Sequence, residues 1–253
     1  MKLSPNKIIL LLENALNGTR HIIVIIIRVL LMDMLLKLND VGLIYKTDNS
    51  SINVLQDISF VLKYKQTLAI IGESGSGKTS LIMLIGGLER NTSGKIYFLN
   101  HELSNLNEDK ISEIRKKNIG IVFQSFYLVP NYTALENVCL TLEINRIKNP
   151  IKKGKEILDR FGLSKRLTHY PSQLSGGEQQ RVAIARSVVM KPKLILADEP
   201  TGNLDSENSE IISNMLFEYV NEESASLILV THDQNLAKRT QKIIKIKDGT
   251  IVK

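Results

Sequence analysis

The segment Gly72-Glu73-Ser74-Gly75-Ser76-Gly77-Lys78-Thr79 sits between two apolar runs, Thr67-Leu68-Ala69-Ile70-Ile71 before it and Ser80-Leu81-Ile82-Met83-Leu84-Ile85 after it. The first run reads as a buried strand and the second as the opening turns of a helix. The eight residues have the form G-x-x-x-x-G-K-[ST], the pattern of a phosphate-binding loop. Each part has a physical task. Glycines let backbone N–H groups turn inward around phosphate oxygens, and the helix N-terminus adds the positive end of its dipole. Lys78 is expected to reach the outer phosphates and the Thr79 hydroxyl to ligate Mg²⁺. An ordinary glycine turn needs neither the lysine nor the threonine in register.

The rest of the chain continues the alternation of strand and helix. Residues 36–41 and 57–62 alternate in polarity and are expected to form antiparallel strands over the nucleotide site, with residues 63–66 turning into the loop strand. Gly86-Gly87 ends the loop helix. Residues 95–99 and 119–123 read as strands, and residues 109–117 as a polar helix. Thr133-Ala134-Leu135-Glu136 carries an N-cap signal and opens a mostly helical stretch, with residues 151–161 its clearest helix. Further helices are expected over about 177–190 and 208–222, buried strands at 194–197 and 227–231, and a closing hairpin at 242–253. The implied fold class is α/β with a mostly parallel core sheet, a small antiparallel β subdomain and a helical subdomain over about 125–185.

Composition narrows the function classes. The chain has 253 residues, 43% hydrophobic and 23% charged, enough for a substantial core. One cysteine, Cys139, excludes an internal disulfide framework, and with four scattered histidines it supplies no zinc-type cluster. The net charge of +7 suits an anionic ligand, a membrane surface or a solvated lysine-rich face. No block of Lys and Arg is interleaved with aromatics, so nucleic acid is not an expected partner. Residues 22–36 are apolar but interrupted by Arg28 and Asp33, and at fifteen residues they fall short of the about 20 that a spanning helix needs. Lys2, Lys7 and Arg20 precede that run as in a signal peptide, but no small-residue cleavage site follows. Residues 1–34 are therefore expected to be an extension that the folded domain, residues 35–253, does not need.

Two further motifs carry chemistry. Leu194-Ile195-Leu196-Ala197-Asp198-Glu199 is an apolar strand ending in two acids. With the loop, Asp198 is placed to hold Mg²⁺ beside Thr79, and Glu199 to polarise the water that attacks the γ-phosphate. Leu174-Ser175-Gly176-Gly177-Glu178 forms a second small phosphate cradle leading into a helix.

That second cradle, followed by Gln179-Gln180-Arg181, resembles the signature of the ATP-binding cassette (ABC) ATPases. The resemblance covers about residues 35–253 and implies roles for further positions. Gln124 resembles the Q-loop glutamine that senses Mg²⁺ and the water and touches the membrane domain. Gly202-Asn203-Leu204-Asp205 resembles the D-loop that crosses between subunits, with Asp205 its acid. His232 resembles the switch histidine on the γ-phosphate, and Tyr45 the aromatic that stacks on adenine. Ser80 joins the loop residues as a nucleotide contact, as do Ser175, Gly176, Gly177 and Glu178 of the signature.

Residues 197–205, Leu128-Val129-Pro130 and residues 133–138 resemble the lipoprotein-releasing and macrolide-export branch of the family. Two departures stand out: Lys65-Gln66 replaces a usual Gly-Glu turn, and Thr79-Ser80 inverts the usual Ser-Thr order. Either hydroxyl can serve Mg²⁺. The resemblance implies a Mg²⁺-dependent ATPase, a homodimer with two composite sites, separate integral membrane subunits, and a peripheral place on the cytoplasmic face of the bacterial inner membrane. A cell-division or antimicrobial-peptide-resistance ATPase has almost the same motifs. A cassette protein acting on DNA or ribosomes usually has two cassettes or a long coiled-coil insertion, and this chain has neither.

Overall fold

Four of the core strands are apolar at nearly every position, the pattern of strands covered on both faces. In the structure, a computed structural model that describes residues 33–47 and 50–252, they lie in a six-stranded sheet. Its strands are β3 (Thr67–Ile71), β6 (Ile119–Val122), β7 (Leu194–Asp198), β8 (Ser226–Val230), β9 (Lys242–Lys247) and β10 (Thr250–Val252), in the order β10-β9-β3-β8-β7-β6. All neighbours pair in parallel except β10, which closes a hairpin on β9.

Side chains of successive residues point to opposite faces, so each strand feeds two cores. Leu68, Ile70, Leu194, Leu196, Ile228 and Val230 face a core shared with Leu81, Ile82 and Ile85 of α1 (Lys78–Ile85). Ile195, Ala197, Leu227 and Leu229 face the other, shared with α5 (Gly176–Val188) and α6 (Ser206–Glu222). Each fully buried Leu or Ile side chain contributes about 1.5–3 kcal/mol.

The second sheet has the order β2-β1-β4-β5, with β1 (Met34–Thr47), β2 (Ser50–Lys63), β4 (Ser93–Phe98) and β5 (His101–Glu102). β1 and β2 are antiparallel, as the sequence predicts, but far longer than the alternating stretches at 36–41 and 57–62. Register shifts at residues 38–44 flip the inward face, and Asp40 and Asp57 take positive φ of 48° and 50°. Such bulges break the period-two signal. At the far ends Ile44, Tyr45 and Ile52 are exposed, so no buried face marks the strand. β1 begins at Met34. Of the N-terminal segment, residues 1–32 lie outside the described residues.

The helical part comprises α3 (Ala134–Ile144) and α4 (Pro150–Arg160), packed on each other and on α5. Thr133 caps α3 through a capping box with Glu136. The polar helix α2 (Glu108–Asn118) is capped by the side chain of Asn107. A short helix, α7 (Gln234–Lys238), follows His232 and is capped by Asp233. Five residues are too few for periodicity to announce it.

Candidate active site

The phosphate loop leaves the end of β3 and enters α1, as the sequence predicts. Gly77 caps that helix with φ 99°, a left-handed conformation that favours glycine. A Cβ there would lie 2.8 Å from both the Val54 carbonyl oxygen and Leu55 Cδ2. A Cβ on Gly72 would lie 2.2 Å from the Ile246 carbonyl oxygen, so the loop rests directly on the backbone of β9. Gly249 is pressed in the same way against Val54, and Gln56 N–H donates to the Gly249 carbonyl at 2.9 Å. The C-terminal hairpin thus underlies the loop. Lys78 is only 9% exposed, and its ammonium donates to the carbonyls of Gly72 (2.9 Å) and Glu73 (2.6 Å). The charge is held across the mouth of its own loop.

The parallel register brings the two acids to the same end of the sheet. Asp198 closes β7 opposite Val230, and Glu199 follows it out of the strand. Asp198 is 7% exposed. Burial pushes its carboxyl up from the ordinary aspartate range; the Thr79 hydroxyl opposes this, the Glu199 charge adds to it, and Lys78 opposes it. Its Oδ1 is buried without a hydrogen-bond partner among the described residues. Glu199 holds φ 47°, a costly conformation for a residue with a side chain, at about 1–2 kcal/mol. Two backbone bonds fix it there: its N–H donates to Val230 and its carbonyl accepts from Gly202, each at 3.0 Å. The Glu199 carboxylate then meets His232 Nδ1 at 2.9 Å.

Gln124 enters from the end of β6. Its Nε2 donates to Asn203 Oδ1 at 3.0 Å, and Asn203 Nδ2 donates back to the Gln124 carbonyl at 3.1 Å. Arg186 of α5 donates to the carbonyls of Phe126 and Tyr127, anchoring the stretch after Gln124. Gly72, Ser74, Gly75, Gly77, Lys78, Thr79, Ser80, Gln124, Asp198, Glu199 and His232 line one open cleft of about 430 Å³, joined by Val54.

The signature residues stand apart from this cleft. Ser175 caps α5: its hydroxyl accepts from Glu178 N–H (3.2 Å), and Glu178 Oε2 accepts from Ser175 N–H (2.9 Å). Glu178 Oε1 accepts from Arg166 Nε at 2.7 Å. Both carboxylate oxygens are thus committed, Oε2 within the signature turn and Oε1 to Arg166 ahead of it, and the Ser175 N–H bond holds the carboxyl below the usual range. Asp205 is spent in a similar way, capping α6 through the backbone N–H and side-chain amide of Asn208. Asn208 in turn packs against Gly177, where a Cβ would lie 2.5 Å from its Oδ1. Tyr45 is exposed on β1 outside the cleft lining, its hydroxyl donating to Glu89 at 2.6 Å.

Val54, Arg166 and Asn208, and the pairing of Asn203 with Gln124, are not read from the sequence. Ser175-x-x-Glu178 is a legible capping-box pattern, and it places Glu178 on the cap. Nothing local marks Val54, which reaches the site from a strand of the other sheet. Among the described residues no group of three His, Cys, Asp or Glu could hold a metal ion. A Mg²⁺ site asks less of the protein, one or two carboxylates with waters and substrate phosphates completing it.

Comparison with known proteins agrees with this geometry. Residues 55–202 match the family described as ABC transporter. The chain is 41% identical over 224 residues to the lipoprotein-releasing system ATP-binding protein LolD of Idiomarina loihiensis, covering 87% of this chain and 98% of that protein. It is 40% identical over 222 residues to the LolD of Francisella tularensis subsp. tularensis, covering 87% and 96%. Among solved structures it resembles the dimeric bacterial ABC transporter cassette MJ0796, at 39% identity and a TM-score of 0.81 over 87% of this chain and 97% of that one. The dimeric post-hydrolysis state of the same cassette, bound to ADP and Pi, matches with 38% identity and the same TM-score of 0.81 over the same shares. With its phosphate loop, paired acids and signature turn set in this fold, the chain belongs to the ABC transporter family as an ATP-hydrolysing cassette.

Proposed function

We propose that this chain is the ATPase subunit of a lipoprotein-releasing transporter. It works as a homodimer on separate membrane subunits, at the cytoplasmic face of the bacterial inner membrane. The observation that carries the reading is the division of the site. One cleft gathers the loop, both acids, Gln124 and His232, while Ser175, Gly176 and Gly177 lie outside it on a rigidly capped helix start. Each copy therefore offers half of a phosphate cage, and a second copy supplies the other half. The solved relatives named above are dimeric, and the curated relatives are named as ATP-binding proteins of a multi-part release system. Among the described residues no helix is long and apolar enough to cross a membrane.

The residues fit a divalent cation. A buried carboxylate oxygen without a partner, Asp198 Oδ1, sits beside the Thr79 hydroxyl, and both are hard oxygen donors of the kind Mg²⁺ takes. Thr79, Asp198 and Gln124 would hold the ion, which when bound would neutralise charge on the β- and γ-phosphates. The other steps fall to the chain. The loop N–H groups and Lys78 bind the phosphates, and Ser175, Gly176 and Gly177 of the partner copy close over them. Glu199 orients the attacking water and takes its proton; His232 fixes that carboxylate and faces the γ-phosphate. Glu178 and Asp205 act by shaping the signature turn and the start of α6 rather than by touching nucleotide.

Affinity purification of the tagged full-length chain from detergent-solubilised membranes tests this reading. It should recover integral membrane subunits and an ATPase activity stimulated by lipoprotein. Recovery with ribosomes or DNA instead, or hydrolysis indifferent to membrane subunits, defeats it.

A further inference from the structure

The amides of Gln124 and Asn203 are joined at two points, and the pairing has a direction. Asn203 Nδ2 donates to the Gln124 backbone carbonyl at 3.1 Å, and Gln124 Nε2 donates to Asn203 Oδ1 at 3.0 Å. A backbone carbonyl can only accept, so the NH₂ end of Asn203 has to face it. The oxygen end of Asn203 is then left facing the Gln124 side chain, which has to answer with its own NH₂. A primary amide can otherwise present either end, since a half-turn exchanges oxygen and nitrogen at nearly the same positions. Here the backbone carbonyl decides both orientations in sequence. The end of Gln124 not committed to Asn203 is Oε1.

The seat for this pair is built. Gly202 leaves room for the Gln124 amide: a Cβ there would lie 2.9 Å from Nε2 and 3.2 Å from Cδ. The turn carrying Asn203 is held on both sides, by the Gly202 N–H bond to Glu199 (3.0 Å) and the Leu204 N–H bond to Thr201 (3.1 Å). Asp205, capping α6 with Asn208, fixes its far end.

We infer that Asn203 is a positioning residue that fixes which end of the Gln124 amide the cleft presents, keeping the oxygen available to a hard cation and the NH₂ away from it. The inference rests on the proposed reading of the cleft as a Mg²⁺–ATP site. A cation of this kind takes oxygen ligands. A Gln124 free to flip spends part of its time presenting N–H donors to the metal instead.

The test uses the full-length chain with Asn203→Ala, Asn203→Asp, Gln124→Ala and the Gln124→Ala/Asn203→Ala double variant. Asn203→Ala should raise the Mg²⁺ concentration for half-maximal hydrolysis by about 2- to 10-fold, the weight of one hydrogen bond, and leave ATP affinity in EDTA unchanged. Asn203→Asp keeps the acceptor for Nε2 but loses the donor to the backbone, and should fall between. In the double variant, loss of Asn203 should add nothing to loss of Gln124. Independently of nucleotide, the side-chain amide resonances of Gln124 should shift on Asn203→Ala and exchange faster with solvent. An unchanged Mg²⁺ response in both Asn203 variants, additive effects in the double variant, or unmoved Gln124 resonances each overturn the inference. A wild-type chain without ATP hydrolysis removes the proposed function instead, while the nucleotide-free resonances still decide whether Asn203 orients Gln124.

Discussion

His232 Nδ1 lies 2.9 Å from Glu199 Oε2, although the histidine side chain is 75% exposed and the glutamate only 16%. The two residues come from the ends of adjacent parallel strands, β7 and β8, and the exposed ring covers the sheltered carboxylate. A carboxylate set in this way can take a proton from water while the imidazole fixes its direction. Glu199→Gln should therefore lower turnover by about 10²- to 10⁴-fold while ATP still binds. His232→Ala should cost less, about 10- to 100-fold, the weight of a hydrogen bond to a charged group. Single-turnover hydrolysis alongside equilibrium binding of a fluorescent ATP analogue separates the two steps; unchanged turnover in Glu199→Gln would remove that residue from its role.

Asp198 sets a pH dependence. Its carboxyl is raised chiefly by burial, so the native state keeps a proton that the unfolded chain has already lost. The group therefore favours the fold at low pH, and that contribution fades as pH rises from the ordinary aspartate range through the raised value. Cation binding runs the other way, because only the ionised carboxylate is a ligand. Mg²⁺ affinity should climb with pH across that window, with a proton released on binding, and Asp198→Asn should abolish the slope. Titration calorimetry in two buffers of different ionisation enthalpy measures the released proton directly.

The divided site predicts complementation. Ser175→Arg keeps a sound phosphate loop beside a spoiled signature, and Lys78→Ala does the reverse. Each variant alone should hydrolyse ATP at no more than about 1% of wild type, by the loss of transition-state contacts. Mixed, they form dimers with one intact composite site, so activity should reappear and vary with the mixing ratio. Two inactive proteins that stay inactive on mixing speak against a shared site.

Glu178 links the signature to stability. Its carboxyl is held low, first by the Ser175 N–H and also by Arg166, so its contribution is full above the ordinary glutamate range. It is lost as pH falls through the depressed value. Glu178→Ala should cost about 1 kcal/mol, as loss of a cap does, and its thermal midpoint should converge on that of wild type in acid. Calorimetry at neutral and acid pH checks both parts.

A chain beginning at Met34 should fold and hydrolyse ATP as the full chain does. It loses the Asp33 carbonyl that accepts from Tyr64 N–H and the 3.8 Å Lys63–Asp33 pair, whose side chains are more than half exposed. Exposed pairs of this kind contribute about 0–1 kcal/mol. The described pairings of Leu36 with Leu62 and Phe98 are retained. Loss of soluble, cooperatively unfolding protein on that truncation sinks the expectation.

What the sequence made legible followed from how local each signal was. The phosphate loop, the apolar β3, β7 and β8, and the Thr133 cap all lie in short windows, and the structure has them where the pattern puts them. The length of β1 and β2 was hidden because bulges at Asp40 and Asp57 reverse the inward face. Asn203 is legible as part of the Gly202–Asp205 turn, but its pairing with Gln124, 79 residues away, is not. Glu178 and Asp205, expected as nucleotide contacts, have oxygens engaged within the protein, Glu178 by Ser175 and Arg166 and Asp205 by Asn208. Motif membership was visible; which atoms were already taken was not.

The support of Gly72 by Ile246, and of Val54 by Gly249, has a consequence for synthesis. The loop is translated well before the backbone it rests on. A nascent chain displays the whole phosphate motif long before it has anything firm beneath it. A chain cut before β9 should therefore carry the complete phosphate motif and still bind ATP poorly, because the loop has lost the backbone that Gly72 rests on.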